Sequence, residues 1–272
     1  MTVSVAVLGL SATPSAGDER YDRIEFPNVT GETTITGYIL RSGTGGSNRW
    51  AVLAHACNGV LNGKGDIREK YSAMAFQLKE NGVSSFLVDS HNSRGKNNIC
   101  KTKDAHRSAT PAKRIDDHIG AAAYIKKMYP DASIVLVGWG PGSLETMNTR
   151  NNLVSRTEQL FSAAALFYPP CRGGGGNSPY SPYAPMLIVV GENDNWEPAG
   201  KCEDLIREKS PHSAEMELKI YADTHHGFDN INQPVKEYKH ASGRSTSGSN
   251  PASAQDAYDR IVGFFAEHTG AR

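Results

Sequence analysis

Apolar residues recur along this chain in short blocks that follow two different periods. Residues 50–56, 83–89, 133–139, 161–168 and 186–190 are near-continuous apolar runs, the pattern of strands covered on both faces. Residues 67–80, 111–128, 199–209 and 253–268 instead return apolar side chains every three or four positions, the period of helices with one buried stripe. An opening antiparallel pair at 24–26 and 33–40, a last strand at 215–221, and a helix at 143–151 complete the set. Asn81-Gly82 closes the first helix, and Pro111 suits the first turn of the second.

Strands alternating with helices imply right-handed crossovers and an α/β fold, a mostly parallel central sheet with helices on both faces. Three polar segments, 90–110, 169–185 and 222–251, read as loops. The second holds four consecutive glycines, Gly173 to Gly176, and is too long for a simple connector. Such loops are expected to shape a pocket. No internal repeat or linker breaks the order, so residues 24–272 read as a single domain. Residues 1–23 read as a disordered N-terminus or the remnant of a signal peptide.

Composition narrows the partners. Lys plus Arg equals Asp plus Glu at 29 each in 272 residues, so there is neither a basic field for nucleic acid nor an acidic one for cationic partners. A small-molecule substrate is the expectation, with no nucleic acid and no membrane; oligomeric state is open. No apolar run reaches the roughly 18 residues of a membrane span. The stretch from Val3 to Ala12 followed by Thr13-Pro14-Ser15-Ala16 has the apolar core and small-residue end of a secretory signal without its positive start. Cys57, Cys100, Cys171 and Cys202 allow three pairings, and two bridges would fit an oxidising compartment. Both features point to a periplasmic or secreted protein; without them the chain reads as cytoplasmic.

The candidate chemistry centres on Gly138-Trp139-Gly140-Pro141-Gly142 at the end of an apolar strand. In a nucleophile elbow of the form G-x-S-x-G, the central residue projects an oxygen over the sheet edge, and the next residue donates its N–H to the oxyanion. Here the central residue is Gly140, which has no side chain to attack with. The next is Pro141, which has no N–H. Open parallel sheets place ligand sites at the carboxyl ends of their strands, and Asp194 and His226 follow at two more such ends. The order nucleophile position, acid, histidine is that of α/β-hydrolases.

Five matching stretches give the chain a recognisable likeness from about residue 24 to 268. They are His55-Ala56-Cys57-Asn58-Gly59, Asp89-Ser90 with Ser93-Arg94-Gly95, Gly138-Trp139-x-x-Gly142, Gly191-Glu192-x-Asp194, and His226-Gly227-Phe228. With these the chain resembles the dienelactone hydrolase family of the α/β-hydrolase fold. The resemblance implies that Asp194 is the orienting acid, His226 the general base and Gly140 the nucleophile position, where the match fails. It also implies an oxyanion donor at the Cys57 N–H and action on an ester or lactone.

Plainer roles compete at each position. His226 has a neighbour, His225, in a polar loop; Asp194 could cap the helix near Ala199; Cys57 fits a disulfide better than a thiol nucleophile. His91 and Arg94 either face the pocket or brace their loop, and Trp139 reads as packing at the elbow. Ser143, at the helix start, points away from the elbow tip. No metal site is expected, since H-E-x-x-H and paired C-x-x-C are absent, and no cofactor is expected: the glycine run is no phosphate loop.

Three accounts of the missing nucleophile follow. The first is an ester or lactone hydrolase in which glycine stands for the usual Ser or Cys, naturally or by substitution. The second is a non-hydrolytic acid–base enzyme, a cyclase, lyase or isomerase, using His226 and Asp194. The third is a ligand-binding pseudoenzyme.

Overall fold

A computed structural model describes residues 20–43, 48–103, 106–140, 143–148, 159–172, 179–241 and 243–269. The signal-like N-terminal stretch, the four-glycine run and the Pro141-Gly142 pair lie outside the described residues.

Eight strands form one sheet: β1 (Asp22–Pro27), β2 (Thr34–Leu40), β3 (Arg49–Ala54), β4 (Ser84–Asp89), β5 (Ser133–Trp139), β6 (Ala163–Phe167), β7 (Met186–Gly191) and β8 (Met216–Tyr221). Their spatial order is β1-β2-β4-β3-β5-β6-β7-β8. β1 pairs with β2, and β2 with β4, antiparallel; from β4 onward every pair is parallel. This is the mostly parallel sheet of an α/β-hydrolase fold. β5 lies at its centre, flanked by β3 and β6, so the corner after Trp139 opens between two further carboxyl ends.

The near-continuous apolar strands bury both faces, and successive residues divide between two cores. Ala51, Leu53, Val135, Val137 and Trp139 pack with Tyr71, Met74 and Leu78 of α1 (Glu69–Glu80) and with Ile261 and Phe265 of α5 (Pro251–His268). Trp50, Val52, Ala54, Ile134 and Leu136 pack on the other side with Ala121, Ala122 and Ile125 of α2 (Pro111–Met128), Leu144 of α3 (Ser143–Thr146) and Leu205 of α4 (Ala199–Arg207). Helix starts follow local chemistry: Thr110 and Asn250 cap α2 and α5 by accepting the Lys113 and Ser253 amides, with Pro111 and Pro251 in the first turns.

Two sequence expectations are corrected. The polar segment 222–251 is not a plain loop: β9 (Lys236–His240) and β10 (Gly243–Ser247) pair as a separate antiparallel hairpin. Its residues are mostly polar and none of β9 is fully buried, so the alternation that marks a strand is missing. The helix expected at 143–151 ends at Thr146, because Asn148 leaves it to bridge Pro182; positions 149–151 lie outside the described residues. The four cysteines pair as Cys57–Cys100 and Cys171–Cys202.

Candidate active site

The central residue of the elbow keeps the backbone of one. Gly140 is buried at the end of β5 with φ +62°, the left-handed conformation that costs a residue with a side chain about 1–2 kcal/mol. Among the described residues, a Cβ placed there would meet only the Ala56 Cβ, at 3.9 Å, an ordinary contact. The Gly140 N–H donates to the Phe167 carbonyl at 3.1 Å, which ties the corner to the end of β6. The corner therefore has the backbone and the space for a side chain without carrying one.

Asp194 and His226 come together. Asp194 follows β7 on a turn that depends on Gly191: a Cβ there would stand 2.1 Å from the Thr224 carbonyl oxygen. Only glycine lets the histidine-bearing loop pass so close, and the Asn193 amide fixes that approach by donating to the Thr224 carbonyl at 2.9 Å. Asp194 Oδ1 accepts the Trp196 and Glu197 amides at 2.9 and 2.8 Å, and Oδ2 meets His226 Nδ1 at 2.8 Å. The carboxylate is wholly buried, while the imidazole retains 13% side-chain exposure. With Nδ1–H donating to the carboxylate, Nε2 presents a lone pair. His225 is directed elsewhere, to the Asn193 carbonyl at 3.3 Å.

Aromatic rings hold the His226 imidazole. The Tyr168 ring lies 4.4 Å away and the Trp196 ring 4.6 Å, and Trp196 stacks in turn on His240 of β9 at 4.0 Å. Burial, followed by the nearby His226, lowers the His240 pKa. Glu197 is pushed up to about 7, first by burial and then by the Asp194 charge. The hairpin also grips the acid loop, since the Thr246 amide donates to Asn195 Oδ1 at 2.8 Å.

The loop after β3 lies beside the corner through Ala56. Its backbone is braced by Tyr71, whose hydroxyl oxygen accepts the Ala56 amide at 2.9 Å while its proton goes to Asn58 Oδ1 at 3.2 Å. Cys57 is held by its bridge to Cys100, and its carbonyl accepts the Ile99 amide at 2.8 Å. The Cys57 N–H donates to no acceptor among the described residues.

Other residues singled out from the sequence lie deeper. Arg94 forms a bidentate pair with Asp117 of α2 at 2.7 and 2.8 Å and also donates to the Ser90 carbonyl; its guanidinium braces the loop. His91 is fully buried, its ring 4.3 Å from that of His55. Burial, then the Arg114 charge, takes the His91 pKa down to about 3. Burial likewise depresses His55 and His118. Trp139 stacks on Phe167 at 5.0 Å and donates Nε1–H to Asp229 Oδ2 at 2.6 Å. Among the described residues no cluster of His, Cys, Asp and Glu could hold a metal ion.

Sequence reasoning missed Tyr168, Trp196, Asp229, Lys70 and His240. Trp196 stands two residues after Asp194, and Asp229 three after His226; Tyr168 and Lys70 carry no motif at all.

A family model for the dienelactone hydrolase family matches residues 62–269. The comparison with curated proteins returned no match. Among solved structures, a dienelactone hydrolase from Anabaena variabilis superposes with a TM-score of 0.66 at 13% identity, covering 93% of this chain and 100% of that one. A putative dienelactone hydrolase from Klebsiella pneumoniae gives 0.66 at 16%, covering 91% and 99%. A Pyrococcus furiosus esterase gives 0.64 at 14%, covering 92% and 93%. At these identities the structural likeness speaks to the fold alone.

Proposed function

The chain belongs to the dienelactone hydrolase family, and from that premise we propose that it acts on an ester or lactone small molecule through His226 and Asp194, with water as the attacking group. The observation that carries this reading is the buried Asp194 carboxylate, held by two backbone amides against His226 Nδ1, in a chain whose elbow position is a glycine with open space, among the described residues, where a side chain would stand.

In the proposed reaction His226 Nε2 takes a proton from water as the water oxygen attacks the carbonyl carbon. Asp194 holds the tautomer and stabilises the imidazolium that forms. The carbonyl oxygen becomes an oxyanion, and the Cys57 N–H is the donor available to it. Collapse breaks the bond to the leaving oxygen, which takes the proton back from His226. One positioned histidine supplies about two to four powers of ten in rate. That is sufficient only for a reactive substrate such as a strained lactone or an ester with a good leaving group.

Pro141 favours a second reading. With no N–H at that position, a reaction that builds no tetrahedral oxyanion, such as isomerisation, elimination or cyclisation, loses nothing. The two readings separate on product identity. Activated aryl esters and unsaturated lactones are incubated with the chain, with Asp194→Asn and without protein, and products are identified by NMR and mass. Free acid and alcohol that together carry one added water, formed faster with the chain than with Asp194→Asn, support hydrolysis; a product of unchanged mass, or a new double bond formed by loss of a leaving group with no water added, supports the second reading; binding without turnover rejects both.

The two disulfides are compatible with an extracytoplasmic location, and no helix among the described residues is long and apolar enough to cross a membrane. We propose a periplasmic or secreted protein whose partner is the small-molecule substrate.

A further inference from the structure

We propose that Asp229 is a positioning residue of this site, its carboxylate fixing the distance between the Gly140 corner and the His226 imidazole. The inference rests on the acid–base reading of His226 and goes beyond it by assigning a second carboxylate a separate task.

Three segments meet on Asp229. It belongs to the turn that His226 opens, closed by the Asn230 amide donating to the Gly227 carbonyl at 2.9 Å. Its Oδ2 accepts Trp139 Nε1–H at 2.6 Å, and Trp139 immediately precedes Gly140. Its Oδ1 accepts the Tyr168 hydroxyl at 2.7 Å, and the ring of that tyrosine lies against His226. Tyr168 also directly follows Phe167, whose carbonyl takes the Gly140 N–H. Corner, base and the ring supporting the base are therefore referred to one buried carboxylate.

Tyr168 could not hold its place unaided. Its φ of +37° is a strained value for an aromatic residue, and it persists where surrounding bonds over-determine it. The hydroxyl that donates to Asp229 also accepts Lys70 Nζ at 3.0 Å. Lys70 is buried, and burial lowers its pKa while the Asp229 charge raises it. Tyr71 and Tyr258 are the other titratable groups that feel Asp229. Asparagine could not replace this carboxylate. Either its NH2 would meet the Trp139 N–H, donor against donor, or its single oxygen would go to Trp139 and leave the Tyr168 proton without an acceptor.

A merely structural carboxylate and a positioning one differ in what happens to His226. Asp229→Asn leaves Lys70 uncompensated and is expected to destabilise; Asp229→Asn with Lys70→Met removes both charges and is expected to recover most of that loss. If Asp229 positions the site, His226 nevertheless shifts relative to Asp194 in both variants. The hydrogen bond from His226 Nδ1–H to Asp194 is then lengthened or bent. The experiment is proton NMR of nitrogen-15-labelled protein at one fixed pH, following the downfield Nδ1–H signal of His226, which is identified by its loss in His226→Gln and so separated from His225 and His240. We expect that signal to move upfield by at least about 0.5 ppm, or to be lost to solvent exchange, in the double variant and in Tyr168→Phe, which keeps the ring and removes only the hydroxyl. A smaller change in either folded variant overturns the proposal, whatever happens to stability. Should Asp229→Asn alone fail to fold, these two variants decide. No turnover is measured here, so failure of the acid–base reading would appear separately, as rates independent of His226.

Discussion

Restoring a hydroxyl at the bare corner is the perturbation whose size the structure bounds from both sides. Gly140→Ser must adopt φ +62°, which costs about 1–2 kcal/mol for a residue with a Cβ. The Cβ meets no clash among the described residues, where its nearest neighbour is the Ala56 methyl at 3.9 Å. At roughly 2–4 °C per kcal/mol for a large domain, Tm should fall by about 2–8 °C. Removing a triad nucleophile costs about six powers of ten in turnover, and one missing oxyanion donor about two to three. With Pro141 unable to donate, Gly140→Ser should thus gain about three to four powers of ten on an activated aryl ester. Adding Pro141→Ala should return part of the remainder. Gly140→Ala is the control: it carries the same backbone cost and no oxygen, so it should lose the same Tm and gain no rate. The assay is the initial rate of aryl ester cleavage, with intact-protein mass to detect an acyl adduct and circular dichroism to follow unfolding. A folded Gly140→Ser that gains less than tenfold, or a gain that survives His226→Ala, refutes the claim that His226 serves this corner.

Three further outcomes follow from the geometry. His55, His91 and His118 are buried and held below their ordinary pKa, so the unfolded chain takes up protons that the folded one refuses. Their contribution is complete above pH about 6.5 and is lost as pH falls; for His91 alone the interval down to about 3 corresponds to about 5 kcal/mol at 1.4 kcal/mol per unit, and a urea midpoint that stays flat from pH 7 to 4.5 would contradict it. Arg94→Ala leaves Asp117 buried without its partner and should cost about 3–5 kcal/mol in chemical denaturation, with Arg94→Met plus Asp117→Met costing clearly less; equal costs would refute the pairing argument. The Cys57–Cys100 bridge is half-buried while Cys171–Cys202 is buried, so a mild dithiol should open the first before the second, as read by alkylation and peptide mass. Replacing Cys57 and Cys100 with serine should cost roughly 2–4 kcal/mol, and simultaneous opening of both bridges would show the exposure argument to be wrong.

What the chain revealed before folding, and what it hid, divides along physical lines. The switch from continuous apolar runs to a 3.6 period is local, so β3 to β8 and the four long helices were legible, as was the α/β class. The β9–β10 hairpin was not, because Lys236 to His240 and Gly243 to Ser247 present polar residues on both faces. Asp194 and His226 carried signals because each follows a strand in a short motif, and Gly191 can be read afterwards as the residue that allows their loops to pass. Arg94 shows the limit: its residue type suits an anion pocket and a buried ion pair equally, and only the presence of Asp117 on α2 decides. The convergence of Trp139 and Tyr168 on Asp229, with Lys70 donating to the Tyr168 hydroxyl, joins residues up to 159 positions apart in one hydrogen-bonded group, and no spacing rule anticipates that. The pairing of the four cysteines likewise required the folded chain.

The most direct measurement is the ratio of kcat/KM between the unaltered chain and His226→Gln on one activated lactone, with folding of both checked by circular dichroism. Glutamine keeps polarity and much of the ring's reach, but it cannot accept and return a proton near neutral pH. We expect a fall of about 10²–10⁴-fold, the worth of one positioned acid–base group. A folded His226→Gln within threefold of the parent would contradict the central role given to this imidazole.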